Sequence, residues 1–441
     1  QRQMCIRDRL KRLTKRMIER LDHVMEAGTG GLRAVVQLAA VLGLLRWLLR
    51  IEPELRWLPM GKSLVPAAVR DDLFWSAGTH LGLAEPSLID QVEKASPGGC
   101  QELSLALGLL GWLGREAGVA ELWIKRDDQT GQVYGGNKVR KLEWLLADAL
   151  ARGHRSVLTT GALGSNHALA TTIYAGVVGL RASLVLIPQP ITDHVRHTLL
   201  LDHAYGATIH AVPTIAAARR RVIGLLVRGT LARDRPYLVP TGGSSTVGTL
   251  GYVNAGLELG EQVTAGALPE PAAIVVPLGS GGTVAGLLLG LRLAGLRSRV
   301  IAVRVTDLLP PSPEFLARLA NQARTMLTRL GAEVPPLMVT PDDVTVRSEW
   351  LGAGYGAVTP DGLAARDRIA ASEQLKVETT YGAKALAAVL ALAHEAPWRD
   401  RPILFWHTYS AADPAAALDR LPDWHELPPA LHPVFRDDGS R

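Results

Sequence analysis

The pattern of apolar and polar positions changes texture near residue 121. From there on, short, mostly apolar runs alternate with segments whose apolar residues recur every three or four positions. The runs 121–125, 156–160, 182–187, 209–212, 237–239, 272–277, 300–305 and 403–406 predict strands. Between them, 138–151 places Leu142, Leu145, Leu146 and Ala149 on one side of a helix, and 167–178 and the segment ending near 293 predict two more. A strand with no polar face is buried on both sides, which points to an α/β chain with parallel sheets covered by helices. Upstream, Leu10, Leu13, Met17, Leu21 and Val24 fall at helical spacing, and Gly28, Gly30 and Gly31 end that helix. Residues 1–9 read as translated adapter sequence and are set aside. Residues 52–120 are broken by Pro53, Pro59, Pro66, Pro86 and Pro97 and carry no assignable chemistry.

Charge narrows the choice of partners. The chain has 441 residues and a formal net charge of +6. That excess sits within residues 1–60, which hold 12 Lys/Arg against 6 Asp/Glu; the rest carries 36 of each. The body of the protein therefore has no basic bias, and nucleic acid is not an expected partner. The two cysteines, Cys5 and Cys100, form no metal-like spacing, so no metal site is expected and a reducing, cytoplasmic setting fits. The apolar stretch 34–51 is interrupted by Arg46 and Arg50, and falls short of the roughly 20 apolar residues of a spanning helix. A peripheral membrane contact through residues 10–51 is the less favoured reading; a helix packed on its own protein is the plainer one.

Three strand–loop–helix junctions carry chemistry. In Gly135-Gly136-Asn137-Lys138, two glycines make a tight turn and Lys138 sits at a helix start beside Arg126, Arg140 and Lys141. A lysine there opposes the macrodipole. Crowding by like charge is expected to favour the neutral amine that attacks carbonyls; a solvated basic helix end is the plainer alternative. Gly279-Ser280-Gly281-Gly282-Thr283 offers consecutive N–H groups at a helix start, suited to one terminal phosphate, or else forms a simple tight turn. It lacks the spacing of a dinucleotide fingerprint. Ser165-Asn166-His167 presents a hydroxyl and an amide at a third helix start, where N-capping is the alternative. Tyr355, between Gly354 and Gly356, and Tyr381 are candidate proton donors, against the commoner case of a core or surface tyrosine.

Taken in order, these motifs resemble the family of D-cysteine desulfhydrase and 1-aminocyclopropane-1-carboxylate (ACC) deaminase, fold-type-II pyridoxal-phosphate enzymes. The resemblance rests on Leu122-Trp123-Ile124-Lys125-Arg126-Asp127-Asp128, Gly135 to Glu143, Ser165-Asn166-His167, Gly279 to Thr283, Gly354-Tyr355-Gly356 and Phe405-Trp406-His407-Thr408, across about residues 121–410. It implies the two-domain fold of the tryptophan synthase β type, with parallel-rich twisted sheets covered by helices on both faces. A large domain would comprise 86–150 and 246–425, a small one 151–245, and a helical extension 1–85. It implies pyridoxal 5'-phosphate as cofactor and Lys138 as the lysine that carries it. Asn166 would bond the cofactor's phenolic oxygen, the loop of Gly279, Ser280, Gly281, Gly282 and Thr283 would hold the phosphate, and Thr408 would complete the cofactor site. Ser165 and His167 would lie at the carboxylate of a small amino-acid substrate, and Tyr355 and Tyr381 over the reacting carbon.

The implied reaction is β-elimination giving keto acid, ammonia and sulfide, and analogy implies a homodimer. Ring-opening deamination is the alternative within the family, and a catalytically silent cofactor- or amino-acid-binding protein the alternative outside it. His167 and Gly382 stand where the deaminases usually have Gln and Glu, which favours the desulfhydrase side. The chain departs from the family pattern at Gly164, Leu169, Gly382 and Tyr409-Ser410.

Overall fold

The apolar runs become strands because a pleat places alternate side chains on opposite faces, and here both faces are covered. The computed structural model describes residues 107–119, 121–308 and 310–436. The expected helix over 10–24, the extension 1–85 and the membrane contact through 10–51 lie outside the described residues. In chain order the elements are β1 (Leu107–Leu109), α1 (Gly111–Ala117), β2 (Leu122–Arg126), α2 (Asn137–Ala151), β3 (Ser156–Ala162), α3 (Asn166–Val177), β4 (Arg181–Ile187), α4 (Asp193–Ala204), β5 (Thr208–Ala211), α5 (Ile215–Leu231) and β6 (Tyr237–Leu238). There follow α6 (Thr246–Thr264), β7 (Ala273–Leu278), α7 (Gly282–Leu293), β8 (Arg299–Arg304), α8 (Pro313–Arg329), β9 (Val344–Arg347), α9 (Pro360–Glu373), α10 (Gly382–Leu392) and β10 (Ile403–His407).

Two sheets result. The first runs β1-β2-β10-β7-β8-β9, all parallel except β1; the second runs β5-β4-β3-β6 and is parallel throughout. Alternation along β7 shows how the first sheet is sandwiched. Ile274, Val276 and Leu278 join the core formed with α6, α7 and α8, while Ala273 and Val275 join the core formed with α1, α9 and α10. In the second sheet, Leu184 and Leu186 of β4 pack toward α3 and α4, and Val185 points the other way, under α5.

Two strands lie outside the expected set, and both are short edges. β9 alternates rather than running apolar, because only Val344 is buried. β1 has three residues around Gly108, where an added Cβ would stand 3.1 Å from Ile124 Cγ2, so a glycine lets it lie close against β2.

Where α2 and α6 meet β2 and β10 lies a charge-balanced buried cluster. Asp127 Oδ1 accepts Arg140 Nε at 2.9 Å, and its Oδ2 accepts Trp406 Nε1 at 2.7 Å and the Tyr252 hydroxyl. Arg140 Nη1 donates to Glu258 at 2.7 Å, and Lys125 Nζ donates to Glu258 and, at 2.9 Å, to Gln262. Burial pushes the Glu258 carboxyl up, but Arg140 and Lys125 outweigh it and hold the group below its ordinary range. Removing one member of such a cluster strands the others. Arg140→Ala should lower the unfolding free energy by about 3–5 kcal/mol in urea titrations, whereas Arg366→Ala, which breaks an exposed pair with Asp367, should cost under about 1 kcal/mol.

Candidate active site

Lys138 owes its place to the chain on either side of it. The Gly136 N–H donates to the Asp127 carbonyl at 2.7 Å, the Gly135 N–H to Ser410 Oγ at 2.8 Å, and the Asn137 N–H to the Thr408 carbonyl at 3.1 Å. Gly136 has φ 92°, and a Cβ there would fall 2.6 Å from the Thr408 carbonyl oxygen, so both conformation and space demand glycine. The turn thus delivers Lys138 at the start of α2 into a cavity lined by Tyr134, Gly135, Asn137, Asn166, Glu378, Tyr381, Thr408, Tyr409 and Ser410. Its Nζ donates to Asn137 Oδ1 at 2.7 Å and lies 5.7 Å from the centre of the Tyr381 ring.

The Lys138 amine is lowered to about 8, and the cause is burial; Glu378 works in the opposite direction. This corrects the expectation of like-charge crowding. Arg126 pairs with Asp128, Arg140 with Asp127 and Glu258, and Lys141 Nζ turns away to the Gly242 carbonyl at 2.9 Å. The neighbouring charges are neutralised or directed elsewhere, and desolvation does the shifting.

The glycine loop before α7 comes close to Lys138. Asn137 Nδ2 donates to Thr283 Oγ1 at 3.0 Å, joining the residue before Lys138 to the loop's last residue. Gly281, at φ 93°, caps α7, and an added Cβ at Gly279 would stand 3.4 Å from the Tyr381 ring. A second wall comes from the Thr241–Ser244 loop, which the sequence reading missed. Ser244 Oγ bonds Ser280 Oγ at 2.7 Å and accepts the Gly282 N–H at 2.9 Å. Its Thr-Gly-Gly-Ser run between a strand and a helix was the available signal.

Asn166 lines the cavity, and its Oδ1 is buried without a hydrogen-bond partner. Ser165 and His167 do not line it. Ser165 Oγ caps α3 by accepting the Ala168 N–H at 3.3 Å, and His167 points inward, its Nε2 3.0 Å from Thr159 Oγ1. Burial, reinforced by Lys138 and Lys141, holds His167 well below its ordinary value.

The two tyrosines meet. The Tyr381 hydroxyl donates to that of Tyr355 at 3.0 Å, with the rings edge to face 5.9 Å apart. Burial pushes both phenols up. Tyr355 is held by its loop: Asp307 accepts its N–H at 3.0 Å, and buried Lys384 donates to the Leu351 carbonyl at 2.7 Å and the Gly354 carbonyl at 3.3 Å. Lys384 and Tyr381 lie within one turn at the start of α10, so a single helix end fixes both phenols.

Glu378 escaped the sequence reading because nothing marks it except its place before a helix. Its carboxylate accepts the N–H groups of Thr380 at 2.6 Å, Tyr381 at 2.9 Å and Gly382 at 2.6 Å, satisfying donors that open α10. Burial pushes it up, against those bonds and Lys138. It reaches the space that a side chain at Gly382 would enter, 3.6 Å from a Cβ built there. At Gly164, an added Cβ would sit 2.9 Å from Val195 Cγ2 and 3.1 Å from Gln189 Nε2.

An amine of lowered basicity, a glycine cup one hydrogen bond away and an unpaired buried amide suit a phosphorylated aldehyde. Comparison with known proteins agrees. Residues 107–408 match the family model described as pyridoxal-phosphate dependent enzyme. D-cysteine desulfhydrase of Serratia proteamaculans (strain 568) is 33% identical over 339 residues, covering 75% of this chain and 95% of the relative. Nocardicin C-9' epimerase of Nocardia uniformis subsp. tsuyamanensis is 34% identical over 306 residues, covering 68% and 89%. The crystal structure of an ACC deaminase homologue superposes with a TM-score of 0.60 at 29% identity, covering 75% of this chain and 96% of that one. The chain belongs to the pyridoxal-phosphate-dependent enzymes, in the lyase family of the D-cysteine desulfhydrases and ACC deaminases.

Proposed function

We propose that the chain catalyses β-elimination on a small amino acid in the manner of a D-cysteine desulfhydrase, releasing keto acid, ammonia and sulfide. The observation that carries this reading is the Tyr381 ring 5.7 Å from Lys138 Nζ, with its hydroxyl bonded to that of Tyr355. A base and an acid side by side are what removal of a proton and a leaving group from adjacent carbons requires.

Pyridoxal phosphate, when bound, supplies the electron sink for the charge left at the α-carbon. The Gly279–Thr283 loop and Thr408 would hold it, Asn166 would bond its ring oxygen, and Lys138 would carry it. Ser165 Oγ accepts from Ala168 and, one residue before the cavity-lining Asn166, would turn its own hydrogen to the substrate carboxylate, with His167 beside it. Freed Lys138 Nζ takes the α-proton. Tyr381 donates to Tyr355, so the Tyr355 hydrogen passes to the departing sulfur and Tyr381 replaces it. The C–S bond breaks with its electron pair on sulfur, and the proton held by Lys138 returns to the phenolate. The remaining enamine hydrolyses to keto acid and ammonia. The reading carries with it a cytoplasmic homodimer, which sedimentation of the purified protein tests.

Epimerisation is the second reading, favoured by the 34% identical epimerase relative and by the same two proton carriers. The products separate the readings. Purified holoenzyme given D-cysteine should release sulfide and keto acid in equal amounts, and ACC should yield little ammonia. Solvent deuterium entering the α-carbon without keto acid would instead support the epimerase. Absence of turnover on any β-substituted amino acid would end the elimination reading. Lys138→Ala should abolish the visible spectral change on adding D-cysteine, and Tyr381→Phe should slow turnover by about 10²-fold or more.

The lowered amine gives a pH prediction. With a value of about 8, the neutral form of Lys138 predominates above that pH. Uptake of pyridoxal phosphate by cofactor-free protein should therefore accelerate through about 8, well below the rise an ordinary lysine would give. Glu378 favours the charged amine, so Glu378→Gln should move the midpoint lower still; an unchanged midpoint would show that the two groups do not interact.

A further inference from the structure

A second cavity lies on the far side of the small sheet, away from every residue used above. It has a volume of about 340 Å³ and runs along α5 next to the end of β5. Arg220, Arg221 and Arg228 line it, and no acidic residue does. None of the three makes an ion pair or side-chain hydrogen bond among the described residues. Three guanidinium groups around one groove, with no acidic residue in its lining, gather like charge without local counter-charge, whereas several other surface arginines have a carboxylate beside them. Arg181 has Asp234, Arg292 has Asp343 and Arg347 has Glu395.

The groove also has a floor and a wall. Gly224 lies between Arg221 and Arg228 along the helix, and a Cβ built on it meets nothing within 4 Å, so the space above it is open. Val212 and Leu225 supply an apolar wall. Arg221 and Arg228 are seven residues apart, hence about 10 Å along the helix axis, the reach of two linked phosphates or of a phosphate on an organic group. His210 at β5 feels both of these charges: burial, then Arg221 and Arg228, hold its imidazole below the ordinary value. The arginine fork matches phosphate oxygens in bidentate geometry, and a flat or aliphatic portion would lie on the apolar wall.

We propose that this groove beside α5 binds an organic phosphate, with its anionic groups on Arg220, Arg221 and Arg228 over Gly224 and its apolar part against Val212 and Leu225. The site is independent of the β-elimination reading and stands or falls without it.

The test uses holoenzyme, whose active-site phosphate cup is already filled, with ADP as the probe and calorimetry at physiological salt as the measurement. One ADP per chain is expected, with adenosine and inorganic phosphate each binding more weakly. Arg221→Gln combined with Arg228→Gln should weaken ADP binding by about tenfold or more. Gly224→Leu leaves the charge unchanged and replaces a poor helix former by a good one; it should weaken ADP to a similar extent by filling the floor. Arg219→Gln, on the same helix but outside the groove, should leave the affinity as it is. No saturable binding, equal loss in Arg219→Gln, or full affinity in Gly224→Leu would each overturn the proposal.

Discussion

The carboxylate of Asp127 is the constraint on which the rest of the site depends. Its two oxygens gather Arg140 from α2, Tyr252 from α6 and Trp406 from β10, while its own carbonyl accepts the Gly136 N–H. One residue at the end of β2 thereby fixes the turn before Lys138 and the helix after it. The cost of burying a charge is met because the cluster balances: Asp127 and Glu258 face Arg140 and Lys125. Lys138 escapes this cluster although it is two residues from Arg140, since the helical twist turns it toward the cavity.

That separation explains why a basic stretch of sequence yields an amine that gives up its proton near neutrality. Arg126 and Arg140 are paired with carboxylates, and Lys141, bonded to the Gly242 carbonyl, is itself lowered by burial and then by Lys138, so the like-charge repulsion falls on Lys141 rather than on Lys138. What remains is removal from water, which penalises the ammonium, set against Glu378, which favours it. The two act in opposition, and burial prevails.

Much of this was legible in the sequence, for a physical reason. Short, mostly apolar runs bounded by turn residues fit strands covered on both faces, and each of the eight expected runs, from 121–125 to 403–406, appears as a strand within a residue or two of its expected ends. The glycine turns at 135–136 and 279–282 could be read because close backbone approach leaves few alternatives to glycine. The edges β1 and β9 were not legible, since an edge strand buries too little to show an apolar run. Glu378 and Lys384 were missed for the opposite reason. Glu378 turns back onto three N–H groups two to four residues ahead that open α10, a local contact that its residue type alone does not announce. Lys384 reaches the carbonyls of Leu351 and Gly354 some thirty residues upstream, and no local spacing announces such a partner.

Two of the departures from the family pattern bear on the cavity directly. Tyr409 lines it, and the adjoining Ser410 pins Gly135 through its hydroxyl. At Gly382 the missing side chain is replaced by the Glu378 carboxylate arriving from the preceding turn. Glu378 is the sole acid among the cavity's lining residues, and its oxygens are already committed to three backbone donors.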